Sequence, residues 1–268
     1  TMLVLEEIAK GCYVTSMAVL GEVGTQTRII ATFAPKPLKD KWLPAIADGK
    51  AILAICMTEP DVGSDLGRMR TNAEVKGGKV ILNGAKTLIS RAEEADLFII
   101  FTRVNGVDGS KGIGCVLVEK DTPGLSADAC YHTIGGEKLA DLRFDNVEVP
   151  LENLVLKEGA IRKLMSAFNT QRCLNPSICL GMAEASLEAS VRYMRERNAH
   201  GHPIGDFQGL RWKVSDMYIQ IEAGRGLLYR AAASADPFPD PTLAAMAKTF
   251  VNEMSIKVCS EGVQIHGG

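Results

Sequence analysis

The densest group of chemically useful residues is Ile55-Cys56-Met57-Thr58-Glu59-Pro60-Asp61-Val62-Gly63-Ser64-Asp65, a run of small, hydroxyl and backbone-permissive residues. A turn of this composition offers N–H and O–H donors to a ligand, although the same residues also serve as local caps of a surface turn. Gln171 and Arg172 form a second polar pair; an amide cannot accept a proton as a general base, so Gln171 is excluded from that role. Seven cysteines, at 12, 56, 115, 130, 173, 179 and 259, show no C-x-x-C pair and no histidine at ligand spacing, which points to reduced thiols and no metal site.

These residues must be held by an ordered chain. The 268 residues carry 30 basic and 32 acidic side chains, a net charge of −2, and 46% hydrophobic residues, as in ordinary globular proteins. The absence of a long basic run argues against nucleic acid and anionic membrane as partners. The longest apolar runs, at Ala51 to Met57 and Leu97 to Phe101, fall far short of the roughly 20 residues of a membrane-spanning helix.

From Met2 to about Ala54 the apolar spacing is helical, with a break at Pro35 and Pro37. Between 55 and 155 the signal changes to strands: Ala73, Val75, Val80 and Leu82 alternate around Gly77-Gly78, a hairpin turn, and Leu97 to Thr102, Ile113 to Glu119 and Leu142 to Val149 read as further strands. After Leu156 a long amphipathic helix bears Leu180, Ala183, Leu187, Val191 and Met194 on one face, with Pro176 expected to kink or restart it. Two more helices are expected at about 208–233 and 242–264, the second capped by Asp240 with Pro241 in its first turn. Helices, then sheet, then helices is an α+β order, divided as 1–54, 55–155 and 156–268.

The Thr58-to-Asp65 string resembles the T-E-P-x-x-G-S-D signature of the acyl-CoA dehydrogenase family. Lys86-Thr87-Leu88-Ile89-Ser90, Arg197 through Gln208 and Gln264-Ile265-His266-Gly267-Gly268 follow in that family's order, so the resemblance spans nearly the whole chain. It implies a helical N-terminal part, a central β-barrel-like domain and a C-terminal helical bundle that bind FAD between the last two. It also implies a homotetramer, acyl-CoA substrates, an electron-transferring flavoprotein as electron acceptor, and a chain incomplete at both ends. The odd, scattered thiols fit a bacterial cytoplasm, or a mitochondrial matrix after loss of a transit peptide.

By the same resemblance, Met57 and Thr58 bond the flavin ring edge and Ser64 contacts the pantetheine arm. Leu88 and Ser90 occupy places where the family commonly has a Trp packing on the isoalloxazine face and a Thr bonding N5. Leu88 keeps apolar packing without aromatic stacking; its bland alternative is strand-end core. Arg197 matches an arginine that binds FAD phosphate across a subunit interface, with Gln208 eleven residues on, and Gln264 and Gly268 match a loop that approaches FAD. His200 stands where Phe is frequent, and Arg172 matches a substrate-site arginine, with a surface charge as its alternative. Gln171 matches the place where some subfamilies carry their catalytic glutamate, so the base is expected beyond Gly268. The implied reaction is α,β-dehydrogenation of an acyl-CoA thioester. The alternatives are a desulfinase-like or flavin monooxygenase-like enzyme of the same fold, or a pseudo-enzyme.

Overall fold

Pro35 and Pro37 divide two helices: Pro35 lies at the N-cap and Pro37 in the first turn, where a missing N–H costs nothing. The computed structural model describes residues 1–267, apart from the side chain of Ala129. Along the chain, helices α1 (Met2–Gly11), α2 (Tyr13–Val23), α3 (Thr25–Phe33) and α4 (Lys36–Ala47) precede strands β1 (Leu53–Cys56), β2 (Asn72–Lys76), β3 (Lys79–Ser90), β4 (Leu97–Val104), β5 (Ile113–Glu119), β6 (Leu125–His132), β7 (Lys138–Pro150) and β8 (Leu154–Leu156). Helix α5 (Ile161–Glu196), the two-residue strands β9 (Asn198–Ala199) and β10 (His202–Pro203), and helices α6 (Gln208–Ala233) and α7 (Pro241–His266) follow. The chain folds as two units, 25–165 and 1–24 with 166–268.

The first of these is built on one mixed sheet in the order β6-β7-β3-β2-β4-β5-β8, with β1 added parallel to β4. The end strands β6 and β8 are not paired with each other among the described residues, so the expected barrel is only loosely formed. Strand β4 is flanked by β1, β2 and β5, and Leu97 through Thr102 is buried throughout. A strand covered on both faces has no polar side to alternate, which is why its sequence reads as an uninterrupted apolar run. Gly77 and Gly78, at φ +59° and +77°, close the β2–β3 hairpin with the paired positive φ values of a type I′ turn.

In the helical unit, Leu5 and Ala9 of α1 and Leu20 of α2 pack with Leu174 and Ile178 of α5. Leu180, Ala183 and Leu187 of α5 pack with Met217, Ile221 and Leu228 of α6 and Val251, Met254 and Val258 of α7. Asp240 caps α7 as expected, its carboxylate accepting from the N–H groups of Thr242 and Leu243, each at 2.9 Å.

Some expectations change. Helix α5 runs unbroken through Pro176, so no fresh start occurs at Asn175. Burial of Leu174, Ile178 and Leu180 holds the segment helical against proline's cost of about 3 kcal/mol. Strand structure begins at Leu53 rather than after Ala54, and β6 is an additional strand. Its mostly exposed, mixed residues carry no alternating apolar signal.

Candidate functional site

The Met57-to-Ser64 turn is fixed from beneath. Glu59 and Val62 exchange backbone hydrogen bonds of 2.9 and 3.0 Å, closing a tight turn over Pro60 and Asp61. The Glu59 side chain points inward, 5% exposed as a residue, and its carboxylate accepts from Arg70 N (2.6 Å), Thr71 N (3.0 Å) and Lys86 Nζ (2.9 Å). Lys86, on β3 and 0% exposed, also donates to the Met57 carbonyl at 3.0 Å. Next to it, Thr87 N–H donates to the Thr58 carbonyl at 3.0 Å. The Met57 and Thr58 carbonyls are thereby committed to β3. The N–H and hydroxyl of Thr58 and the hydroxyl of Ser64 make no hydrogen bond among the described residues.

Burial pushes the Lys86 ammonium below its usual range despite the Glu59 carboxylate beside it. For Glu59, burial alone would raise the carboxyl pKa, but the Lys86 charge and the donors around it hold it below the ordinary range. Each charge of the pair is hydrogen-bonded beyond its partner, Lys86 to the Met57 carbonyl and Glu59 to the N–H groups of Arg70 and Thr71. A buried ion pair is tolerated on that condition.

Thr87 N–H therefore joins the last part of β3, which continues through Leu88 to Ser90, to the Thr58 carbonyl of the turn. Leu88 has φ +56°, a left-handed conformation that costs a non-glycine residue roughly 1–2 kcal/mol. It is 51% exposed, which excludes the strand-end core alternative, and Ser90 is exposed with a hydroxyl making no hydrogen bond among the described residues. Asp141 on β7 meets this bend: one carboxylate oxygen accepts from Thr87 Oγ1 and from Leu88 N (3.2 Å), the other from Tyr131 Oη (2.9 Å). Burial would raise the Asp141 carboxyl, but these donors, aided by Arg143, hold it below its usual range.

The remaining expected residues belong to the helical unit. Arg172 is half-buried on α5 and donates to Asn169 Oδ1 one turn earlier at 2.6 Å. Arg197 follows the end of α5; its N–H donates to the Tyr193 carbonyl and its carbonyl accepts from Ile204 N, both at 2.8 Å. The intervening β9–β10 hairpin folds the chain back so that Gln208 opens α6. The side chains of Arg197, Gln208 and Gln264 are exposed and make no hydrogen bond among the described residues. His200, at φ +54°, is exposed and meets Phe207 edge-on at 6.3 Å between ring centres. Gly268 lies outside the described residues.

Glu59, Lys86 and Asp141 are absent from the residues that the sequence reading selected as site residues. Lys86 leaves a sequence trace, since it continues the even-numbered inward positions Val80 and Leu82 of β3, and a charge on a buried face demands a partner. Asp141 leaves none, because its role depends on strand register.

Family models described as the N-terminal, middle and C-terminal domains of acyl-CoA dehydrogenase match residues 1–50, 54–147 and 161–268. A cyclohex-1-ene-1-carbonyl-CoA dehydrogenase of Syntrophus aciditrophicus (strain SB) is 35% identical over 99% of this chain and 66% of its own length. A 3-sulfinopropanoyl-CoA desulfinase of Cupriavidus necator is 36% identical over 100% of this chain and 70% of its own length. Among solved structures, one described as the FAD complex of PigA matches with a TM-score of 0.92 and 29% identity, covering 100% of this chain and 72% of that one. The chain thus spans from 66% to 70% of the length of these two relatives. With all three family segments in order and the signature turn set against its partner strand, the chain belongs to the acyl-CoA dehydrogenase family.

Proposed function

We propose that this chain is part of an FAD-dependent acyl-CoA dehydrogenase that introduces an α,β double bond into an acyl-CoA thioester. The observation that carries the reading is the joining of the Met57–Ser64 turn to the Thr87–Ser90 strand end by the Thr87 N–H to Thr58 carbonyl bond. The residues present suit a flavin: uncommitted donors on Thr58 and Ser90 for a polar ring edge, and an exposed Leu88 for an apolar ring face. When bound, FAD supplies a two-electron acceptor for the β-hydrogen; the protein supplies binding and orientation.

Met57 and Thr58 would hold the ring edge, the Ser90 hydroxyl would serve as a donor to the ring, and Leu88 would pack against its face. Ser64 takes the pantetheine arm and Arg172 lies at the substrate site. The guanidinium fork of Arg197 suits phosphate oxygens, with Gln208, Gln264 and Gly268 assisting. Orientation is the main contribution of such a site, because α-proton removal and β-hydrogen departure must be aligned in one geometry. The free thiols support a reducing compartment, proposed as the cytoplasm, and no described helix is long and apolar enough to cross a membrane. A homotetramer and an electron-transferring flavoprotein as acceptor complete the reading, within domains at 1–54, 55–155 and 156–268.

The 36% identity to a desulfinase favours one second reading, carbon–sulfur cleavage of a sulfinic acyl-CoA. Anaerobic titration of the yellow holoprotein separates the two. Bleaching by saturated acyl-CoA thioesters, with two hydrogens lost from the thioester, supports the dehydrogenase, whereas sulfite release from 3-sulfinopropanoyl-CoA without bleaching supports the desulfinase. A protein that takes up no FAD overturns both.

A further inference from the structure

Strands β3 and β7 pair at Lys86↔Leu142 and again at Ile89↔Ala140, so three steps along β3 face two along β7. Thr87 and Leu88 together oppose Asp141: a β-bulge with its extra residue at the site. On the other edge of β7 the same thing happens, since Ala127↔Leu142 is followed by Cys130↔Ala140. Asp141 therefore stands opposite a register shift on each side. Its carboxylate reaches both strands, accepting from Thr87 and Leu88 on β3 and from Tyr131 on β6.

The bulge decides which side chains reach the candidate site. Before it, the inward positions of β3 are even-numbered, Val80, Leu82 and Lys86; after it, Ile89 is the inward residue at 3% exposure, while Leu88 and Ser90 face outward. Side chains alternate with a period of two, so the same sequence paired without a bulge would turn Leu88 and Ser90 to the buried face and Ile89 outward.

A second bulge between the same strands shows how unusual the first is. There Asn83 opposes Asp145 and Asn146; Asn146 is left-handed at φ +47°, and Asn83 Oδ1 accepts its N–H at 2.9 Å. The device is the same, a lone side chain holding the N–H of the left-handed residue. Asparagine adopts that conformation readily, whereas leucine does not. A strained, exposed leucine in a candidate site implies that its position is used.

We propose that Asp141 is a positioning residue for the flavin site: by tethering the Thr87–Leu88 bulge it sets the register that presents Leu88 and Ser90 together. This rests on the FAD-binding reading above. The test is a double-mutant cycle of Asp141→Ala and Leu88→Gly in the full-length protein, with Asp141→Asn as the conservative variant. FAD dissociation constant, visible circular dichroism of the bound flavin and apoprotein melting are measured in each. Asp141→Ala is expected to weaken FAD about tenfold and alter the flavin dichroism, with Asp141→Asn retaining most of both. In the Leu88→Gly background, where the left-handed bend carries no Cβ penalty, the same Asp141→Ala change is expected to have a much smaller effect on affinity and melting.

Unchanged FAD affinity and dichroism in Asp141→Ala, or an equal loss in both backgrounds, overturns the proposal. If Asp141→Ala fails to fold, Asp141→Asn and Tyr131→Phe are assayed in both backgrounds. Wild-type protein that binds no FAD overturns the FAD-binding reading and this flavin role together, and the apoprotein melting cycle then still reports whether Asp141 holds the bend.

Discussion

Lys86 Nζ lies 2.9 Å from Glu59 Oε1 beneath the signature turn, with both side chains nearly sealed from solvent, at 0% and 4% exposure. The pair ties β3 to the turn, since the same ammonium holds the Met57 carbonyl and the same carboxylate holds two backbone N–H groups of residues 70 and 71. Removing the cation would strand a buried carboxylate. Lys86→Met is therefore expected to lower unfolding free energy by about 3–5 kcal/mol, read from the urea midpoint. Glu59→Gln, which keeps one acceptor, is expected to cost less.

Acid should weaken the helical unit through Glu184. Burial alone would raise its carboxyl pKa, but hydrogen bonds from Lys10 and Arg225, both at 3.0 Å, and their charges hold it below 4.5. A carboxyl with a lowered folded-state pKa contributes stability that is complete above its unfolded pKa and is lost as pH falls through the folded one. Urea midpoints of the wild type should stay flat near neutrality and drop in acid. Glu184→Gln should lower the neutral plateau and flatten the acid limb; an unchanged limb would remove Glu184 from the account.

Leu88 offers the ring an apolar surface without an aromatic one. The backbone bend exists already, so Leu88→Trp adds stacking without asking for a new conformation. Stacking contributes roughly 0.5–1.5 kcal/mol, which is about two- to tenfold in FAD affinity by equilibrium titration. Weaker binding in Leu88→Trp would show that the ring does not lie over this side chain.

Gly181 marks a close helix crossing. An added Cβ would overlap the Glu6 carbonyl of α1 and press on Ala9. Glycine to alanine in a helix interior ordinarily stabilises by about 1 kcal/mol; here the sign should reverse, with Gly181→Ala costing about 1–3 kcal/mol in thermal unfolding. The buried Glu6 carboxylate, which accepts from Arg225 and Tyr229, cannot shift freely to make room.

The order of helices, sheet and helices was legible from apolar periodicity alone, because a helix or strand that buries one face must repeat at that face's spacing. The Gly77-Gly78 hairpin and the Asp240 cap were legible for the same local reason: turn and cap chemistry is satisfied within a few residues. The signature turn at Met57 and the strand end at Ser90 were both visible as strings, and Leu88 was visible as a departure. Their adjacency was not, since it rests on one hydrogen bond between residues 29 apart, Thr87 to Thr58. The unbroken course of α5 through Pro176 likewise came from burial that no local pattern announces. Register was the most hidden quantity: one extra residue opposite Asp141 turns Ser90 outward and Ile89 inward, and only the pairing of strands distant in sequence determines where that residue falls.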